Sequence, residues 1–500
     1  METLLQIFYL YTTTPIVPVV IIGVAWGIVG GALPGISPSI TMALLLPFTY
    51  ALDPTSAVVL LASTYVGAEY GGSVPAILIN TPGTNAAAAT TIDGYAMKLK
   101  GKASDALGIS LYSGVIGGII GFLMLFLLTE PLVRVALLFT PPAYFALGLL
   151  GLSVIASLSG GSLIKSLAAA LIGLMIATVG TDPISGVSRF TFGESDLLSG
   201  IKPILIMVGV FAVSELFAQS SAGAWVKAGA DAAKVRFPNA KLRRRLLKPQ
   251  LIGSGIGTFE GVMPGAGGTV AAFMSYNEAR RWSSNKEEFG QGSPEGIAAP
   301  EAANNTVACT ALVPMLSFGI PGSNATAVLL GGFLIHGLRP GPQLFQESSD
   351  VIFGLYGGLA ISPFILLGLG MLLLPLCIWM VNRPKPYLMA FIYALIFSGV
   401  YSIHQSTFDL VIVLIAGVGG YFMRLFKMPF LPLVLGLVLG YMVESNYRRS
   451  LVLSGDDHGI FLRDPISLGF LILAVVFVLG SLFSPLLSRL WSGKGKKQES

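Results

Sequence analysis

Long stretches without a charged residue are the feature that most constrains this chain. They run from Ile16 to Tyr50, Ala136 to Ile164, Val351 to Val381 and Ser467 to Leu487. Each holds the roughly 20 apolar residues that an α-helix needs to cross a bilayer. The runs therefore predict an all-α polytopic membrane protein with about 12 membrane segments, some of them broken or re-entrant.

The composition argues against the alternative of one large soluble core. Of all residues, 54% are hydrophobic and 11% are charged, whereas a soluble domain carries about 25% charge. The chain lacks the polar surface to cover such a core. The net charge of +5 comes from basic residues in short loops, where positive charge reports topology. Membrane lipid is thus an expected partner, and nucleic acid is not.

The basic residues near the middle of the chain divide it. By the positive-inside rule, this cluster is a cytoplasmic loop. We predict a first transmembrane repeat over 1–226, a basic cytoplasmic linker over 227–250, a second repeat over 251–446, and a C-terminal membrane segment with a basic tail over 447–500. The cluster consists of Lys227, Lys234, Arg236, Lys241, Arg243, Arg244, Arg245 and Lys248.

Two glycine- and proline-rich phrases occur twice in the same order, which indicates internal duplication. The glycines of the first phrase lie four residues apart, so they line one helix face and favour close packing with another helix. In the first copy the phrases contain Gly23, Gly27, Gly31, Pro34 and Gly35, then Pro82, Gly83, Thr84 and Asn85. The second copy has Gly253, Gly257, Gly261, Pro264 and Gly265, then Pro321, Gly322, Ser323 and Asn324.

The loops after the second phrase suggest how the copies are oriented. In the first copy this loop is basic, Lys98 to Lys102, whereas in the second copy the stretch after His336 leans acidic. If the first loop is inside and the second outside, the repeats are inverted. Inverted repeats with discontinuous helices are common in secondary transporters. A parallel duplication is the alternative.

Each repeated phrase interrupts an apolar run with Pro-Gly. Proline lacks an N–H and clashes with the preceding turn, so Pro34-Gly35 and Pro82-Gly83 end helices inside the apolar part of the chain. Freed backbone groups are tolerated there only where protein or a water-filled cavity satisfies them. The hydroxyl residues that follow can cap a restarting helix, whose N-terminus attracts an anion. We interpret the breaks as one substrate site; capped surface turns are the alternative.

The candidate substrate-binding residues lie at these breaks. The repeated phrases contain no arginine, so backbone N–H groups, hydroxyls and amides would hold an anion. The predicted set is Ser37, Ser39, Asn80, Thr81, Gly83, Thr84, Asn85, Gly267, Thr269, Gly322, Ser323 and Asn324.

Unwound backbone beside half-helix ends can also coordinate a cation. Glu260 is the only carboxylate within these motifs, although it could instead hydrogen-bond a neighbouring helix. Glu69 and Glu215 are further ionisable candidates, with a loop-edge position as the alternative. The predicted ion-coupling set, for sodium or a proton, is Gly31, Gly35, Glu260, Gly261 and Gly265.

Motifs for enzymatic chemistry are missing from the sequence. There is no GxxxxGK[ST] phosphate loop, HExxH motif or Ser-His-Asp arrangement. The two cysteines, Cys309 and Cys377, lie in apolar surroundings without metal-ligand spacing. We therefore expect no enzymatic activity, no catalytic residue and no cofactor beyond the coupling ion.

The motifs resemble those of the TctA family, the large membrane subunit of the tripartite tricarboxylate transporters. The resemblance rests on GxxxGxxPGxS from Gly27 to Ser37 with PxxxxxxPGTNAAAATTIDGYAM from Pro75 to Met97, and on their second copies GxxxGxxPGxGG and PxxxxxxPGSNATAV. It covers nearly the whole chain, including the basic loop in the middle.

This resemblance implies a secondary transporter for carboxylates such as citrate in a bacterial inner membrane, driven by a sodium or proton gradient. It also implies two partners, a small four-helix membrane subunit and a periplasmic solute-binding protein. A passive anion channel or a membrane scaffold subunit is the alternative function.

Overall fold

The computed structural model describes residues 15–158, 162–182, 185–221, 234–263, 265, 267–382 and 385–492. Within these residues the chain is helical almost throughout. Its only strands there are β1 (Gly180–Thr181) and β2 (Ser188–Arg189), a short antiparallel pair. The predicted all-α fold is therefore confirmed.

The first six helices contain two of the predicted breaks. The chain leaves the helical path after the first helix and again after the fourth, at the Pro-Gly phrases. The helices are α1 (Ile16–Gly31), α2 (Pro38–Thr49), α3 (Pro54–Gly71), α4 (Ser73–Ile79), α5 (Ala87–Leu99) and α6 (Ala103–Ala136).

The next part of the chain holds two long helices and one helix with a π-helical segment. The long helices are α7 (Pro141–Leu158) and α8 (Leu163–Ala177). After the β-pair, α9 (Pro203–Met207), a π-helical segment (Val208–Val213) and α10 (Ser214–Ser221) form one continuous helical run.

The second half of the chain repeats the order of the first six helices, including both breaks. It consists of α11 (Ala240–Val262), α12 (Gly267–Trp282), α13 (Pro294–Thr310), α14 (Leu312–Phe318), α15 (Asn324–Ile335), the short α16 (Pro342–Glu347) and α17 (Ser349–Leu372). This order is what a duplication would produce, and the relative orientation of the copies stays a prediction. Residues 240–250 of the predicted linker begin α11.

The last helices complete the chain. They are α18 (Leu374–Val381), α19 (Lys385–His404), α20 (Thr407–Leu425), α21 (Phe430–Ser454), α22 (Ile460–Arg463) and α23 (Pro465–Ser492). The predicted basic tail beyond Ser492 lies outside the described residues.

Seven helical segments among the described residues are long and apolar enough to cross a membrane, by length and composition. Together with the nearly complete absence of strands, they establish a multi-pass helical membrane protein. The segments are α6, α7, Pro203–Ser220, α17, α20, α21 and Pro465–Leu482.

Glycine allows the first helix of each copy to pack directly against a neighbouring backbone. A Cβ atom added to Gly27 would lie 2.3 Å from the carbonyl oxygen of Thr64, on α3. In the second copy, a Cβ on Gly257 would lie 2.4 Å from the carbonyl oxygen of Ala303, on α13. Such distances leave no room for any side chain. The predicted close packing by small residues is thus present in both copies.

The helices form two compact units. Unit 1 comprises the described parts of Met1–Ala136 and Ile204–Tyr421, and it contains all of the helix breaks. Unit 2 comprises the described parts of Leu137–Pro203 and Phe422–Ser500. The units do not follow the sequence-predicted domain boundaries, which stay a prediction.

Unit 2 combines a tightly packed helix pair with a polar network. A Cβ on Gly436 of α21 would lie 2.1 Å from the carbonyl oxygen of Ala170 on α8. At the end of α21, Arg448 forms an ion pair of 2.8 Å with Asp182, while Glu444 pairs with Arg189 at 2.7 Å. These ion pairs connect α21 with the segment around the β-strands.

Candidate functional site

The first break of the first copy is a short turn between α1 and α2. Gly35 has a φ of +84°, a left-handed conformation that glycine adopts without strain. Ser37 then caps α2, since its hydroxyl accepts a hydrogen bond of 3.4 Å from the Ile40 N–H. The hydroxyls of Ser37 and Ser39 lie 2.8 Å apart. On the other side of the turn, the Gln219 amide donates to the Gly35 carbonyl at 3.2 Å.

The corresponding break of the second copy lies between α11 and α12. Gly265 and Gly267 have φ values of +100° and +67°, so this turn depends on glycine even more than the first. Pro264 and Ala266 lie outside the described residues. Because α12 begins at Gly267 and Gly268, its first N–H groups come from residues that have no side chain.

The second break has the same backbone form in both copies. The helix before it ends in a left-handed residue, Asn80 with φ +58° in the first copy and Gly319 with φ +75° in the second. A hydroxyl then starts the next helix. Thr84 accepts from the Ala87 N–H at 3.3 Å. Ser323 forms a reciprocal capping box with Thr326. The predicted restart of a helix after each Pro-Gly phrase is therefore present.

Within each copy, the two breaks contact one another. A Cβ on Gly83 would lie 2.0 Å from the carbonyl oxygen of Gly31, so the second break rests on the end of α1. In the second copy the Gly265 N–H donates a hydrogen bond of 3.0 Å to the Gly322 carbonyl. Backbone groups freed at one break are thus partly satisfied by the neighbouring break.

Breaks from different copies also lie side by side. A Cβ on Gly268 would lie 2.5 Å from Asn304 Oδ1 and 3.7 Å from the Cβ of Ala86, the residue after Asn85. A Cβ on Gly267 would lie 4.0 Å from the Cβ of Ser323. The start of α12 therefore lies beside the second break of each copy. We call this region the break cluster, consisting of Ala86, Gly267, Gly268, Asn304 and Ser323.

Residues of α3 extend the break cluster into the interior. The Tyr65 hydroxyl lies 3.4 Å from Ser323 Oγ. Asn304 Nδ2 donates a hydrogen bond of 2.8 Å to Oε2 of Glu69. Glu69 is buried within α3 rather than at a loop edge. The break cluster is thus joined to a buried carboxylate through one amide side chain.

The predicted site residues differ in exposure, and the structure does not bring all of them together. Gly267, Ser323 and the loop of Thr84 and Asn85 belong to or adjoin the break cluster, whereas Thr81 bonds within its own segment, to Ile79 and Pro75. Exposed residues are Gly35, Asn80, Thr81, Asn85 and Asn324; half-buried ones are Ser37, Gly265, Gly267, Thr269 and Ser323; buried ones are Gly31, Ser39, Gly83, Thr84, Glu260, Gly261 and Gly322.

Sequence reasoning missed the polar residues of α13. Glu301, Asn304 and Asn305 are buried inside unit 1. The sequence did contain a signal for them. They are spaced three and four residues apart and therefore lie on one face of the helix, and an ionisable residue in a membrane helix indicates a functional site.

Asp93 is a second buried carboxylate that sequence reasoning missed, with a structural role. Its Oδ1 accepts hydrogen bonds of 2.7 Å from the N–H groups of both Gly292 and Ser293, and its Oδ2 accepts one of 2.9 Å from the Tyr276 hydroxyl. The carboxylate thereby ties α5 to the start of α13 and to α12, which holds the two copies together beside the break cluster.

The fold and the break cluster define a class: a multi-pass helical membrane protein in which broken helices meet inside one compact unit, as in membrane transport proteins. Residues 17–435 match the model of the Tripartite tricarboxylate transporter TctA family, and the chain belongs to that family. It is accordingly a membrane component of a tripartite transporter and works with partner subunits.

Two relatives come from Agrobacterium vitis. The chain is 37% identical to an uncharacterized 52.8 kDa protein in the TAR-I ttuC′ 3′ region, over 94% of this chain and 93% of the relative. It is 34% identical to an uncharacterized protein in the TAR-II ttuC′ 3′ region, over 47% of this chain and 96% of that relative. No solved structure matches the chain.

Proposed function

We propose that this protein is the large transmembrane subunit of a binding-protein-dependent secondary transporter. It imports organic carboxylates, a tricarboxylate such as citrate or a related acid, across a bacterial inner membrane. A sodium or proton gradient drives the import. Membership in the TctA family supports the transport role, and the chemistry of the break cluster supports an anionic substrate.

The observation that carries the proposal is the meeting of breaks from both copies at the start of α12. Free N–H groups at a helix start favour a negative charge. The hydroxyls of Ser323 and Tyr65, which lie 3.4 Å apart, are further donors for carboxylate oxygens. Gly267 and Gly268 place no side chain over the backbone at this point, and both residues are half-buried. A carboxylate can therefore be held by neutral donors alone.

The partners follow from the family. A periplasmic solute-binding protein would deliver the substrate, and a small four-helix membrane subunit would complete the membrane part. Dependence on these partners is the property that separates this proposal from a passive anion channel or a scaffold subunit.

Uptake by the reconstituted transporter tests the proposal. The chain and its small membrane partner are placed in proteoliposomes, and the solute-binding protein is added with radiolabelled citrate or another acid that it binds. We expect saturable uptake that requires the binding protein and an imposed sodium or proton gradient. Linear flux that needs neither would identify a passive channel and overturn the proposal.

A pair of glycine variants tests the role of the break cluster in the same assay. Gly268→Ala introduces a Cβ that would lie 2.5 Å from Asn304 Oδ1, and we expect it to abolish uptake. Gly255→Ala is the control, because no atom lies within 4 Å of its added Cβ. Equal uptake by both variants would contradict substrate binding at the break cluster.

A further inference from the structure

Four carboxylates in the described part of unit 1 are buried without a cationic partner, namely Glu69, Asp93, Glu260 and Glu301. The side chains of Glu69 and Glu301 belong to residues that are 6% and 1% exposed. Neither forms an ion pair with a lysine, arginine or histidine of the described residues. Burying a carboxylate without a cation is unfavourable, because the charge loses its hydration. A positive species bound beside one of them would remove this cost.

Glu301 has one satisfied and one unsatisfied oxygen. Its Oε1 accepts hydrogen bonds of 2.5 Å from Ser73 on α4 and from Thr90 on α5. Its Oε2 accepts none from the described residues. Ser110 of α6 lies beside the carboxylate and interacts with it, but its hydroxyl makes no hydrogen bond of normal geometry among the described residues. The Glu301 carboxylate and the Ser110 hydroxyl thus approach one another on facing helices, while Oε2 and Oγ each lack a hydrogen bond of normal geometry.

Asn305 adds a third oxygen one helical turn further along. Its Nδ2 donates to the main-chain carbonyl of Glu301 at 3.0 Å, which leaves Oδ1 as an acceptor. This Oδ1 has no partner among the described residues. The Asn305 side chain packs on Gly114, which lies one turn after Ser110 on α6. A Cβ added to Gly114 would lie 3.0 Å from Asn305 Nδ2. Because α6 and α13 run side by side in this register, the three oxygens line one short stretch of their interface.

We propose that Oε2 of Glu301, Oδ1 of Asn305 and Oγ of Ser110 bind a sodium ion, the coupling ion of the transporter. This inference rests on the proposed function and gives its ion a site. A hard cation prefers oxygen ligands, and one ion would satisfy all three oxygens at once. If Glu301 were protonated instead, its O–H group could donate to only one neighbouring acceptor oxygen and would leave the other without a partner. The site is separate from the predicted ion-coupling set around Glu260.

The position of α13 links this ion site to the substrate. Asn304 precedes Asn305 on the same helix, and it contacts both Glu69 and the start of α12. An ion between α6 and α13 would fix the helix that carries Asn304. Sodium binding would thereby order the break cluster and favour substrate binding, and by thermodynamic reciprocity substrate would favour sodium binding.

Equilibrium binding of ²²Na⁺ to the full-length protein in detergent tests the site without requiring transport. We expect saturable binding that Glu301→Gln removes and that Ser110→Ala weakens by about tenfold. Ser254→Ala is the matched control, because Ser254 is also a buried serine whose hydroxyl has no partner among the described residues, but it lies on α11. We expect it to bind like the unmodified protein.

The outcomes separate this inference from the proposed function. Sodium binding that is unchanged in Glu301→Gln and Ser110→Ala would overturn the ion site, even with coupled uptake intact. An absence of specific ²²Na⁺ binding by the unmodified protein would also overturn it. Binding that depends on Glu301, without any ion-coupled uptake in proteoliposomes, would uphold the site and overturn the transporter. If Glu301→Gln fails to fold, the comparison of Ser110→Ala with Ser254→Ala decides.

Discussion

Asn304 and Glu69 form a buried hydrogen bond of 2.8 Å between α13 and α3. The two helices come from different copies of the predicted repeat, so this contact joins the copies at their centre. The amide donates through Nδ2, while its Oδ1 lies beside Gly268 at the start of α12. One side chain of the break cluster therefore contacts a buried carboxylate and the start of α12 at the same time.

Removing this amide should destabilise the protein more than neutralising its partner. Asn304→Ala leaves the Glu69 carboxylate buried without a donor, at a cost of about 1–3 kcal/mol. Glu69→Gln keeps an oxygen that accepts from Asn304 and removes the buried charge. We expect Asn304→Ala to lower the melting temperature of the purified protein and Glu69→Gln to leave it nearly unchanged. Melting curves with the opposite order would contradict the hydrogen bond as an important contact.

Helix packing through glycine gives a second prediction. Gly27→Ala should prevent the close approach of α1 and α3, since the new Cβ would lie 2.3 Å from the Thr64 carbonyl oxygen. We expect a strong loss of folded protein in size-exclusion chromatography. Gly255→Ala, in the middle of the corresponding helix of the second copy, is the control because its Cβ meets no atom within 4 Å. There, alanine should be neutral or stabilise by roughly 0.5–1 kcal/mol. Similar yields for both variants would argue against glycine-mediated packing.

The helix breaks could be predicted from the sequence because their signals are local. A Pro-Gly pair opposes continuation of a helix, whereas single prolines such as Pro131 and Pro300 lie inside helices of this chain. A hydroxyl residue that follows the pair can cap the next helix. The breaks at Pro34-Gly35 and Pro82-Gly83, and the caps Ser37 and Ser323, follow from these rules. The glycine spacing predicted close packing for the same reason, although it could not identify the partner helices α3 and α13.

The buried polar face of α13 could not be predicted in the same way. The partners of Glu301 come from α4, α5 and α6, which lie about 200 residues earlier in the chain. The role of Asn304 likewise depends on Glu69 and Gly268, which come from two other helices. These contacts depend on how distant segments pack together. The sequence pattern within α13 does not show which segments those are.

The orientation of the repeats is open to a direct labelling test. We expect Lys100→Cys and Gln343→Cys to react with a membrane-impermeant thiol reagent from opposite sides of the membrane. Both positions are exposed in the structure, and the two native cysteines are buried, so background labelling should be low. Labelling of both positions from one side would indicate a parallel duplication.

The exposed asparagines after each second break are predicted to contact the substrate. Asn85→Ala or Asn324→Ala removes a hydrogen bond to a charged group, which is worth about 1.5–3 kcal/mol. The apparent affinity for the carboxylate should fall roughly ten- to hundredfold. Because both side chains are exposed, the variants should fold normally.

Gln343→Ala is the matched control for these two variants, as it also removes an exposed amide but lies outside the breaks. Uptake kinetics measured in proteoliposomes should be unchanged in this control. Kinetics that are equally unchanged in Asn85→Ala and Asn324→Ala would remove both asparagines from the substrate site.

The last prediction separates two positions for the coupling ion. Glu260 lies at the end of α11, beside the first break of the second copy, and is 6% exposed. If the ion binds at this break, Glu260→Gln should change the sodium or pH dependence of uptake more than the choice of substrate. If sodium instead binds between Glu301, Asn305 and Ser110, Glu260→Gln should keep the ion dependence and Glu301→Gln should lose it. Uptake is measured for both variants at a series of sodium concentrations and pH values. A change of ion dependence in Glu260→Gln alone would assign coupling to this helix break, because Glu260 stands beside unwound backbone that can supply the remaining oxygen ligands.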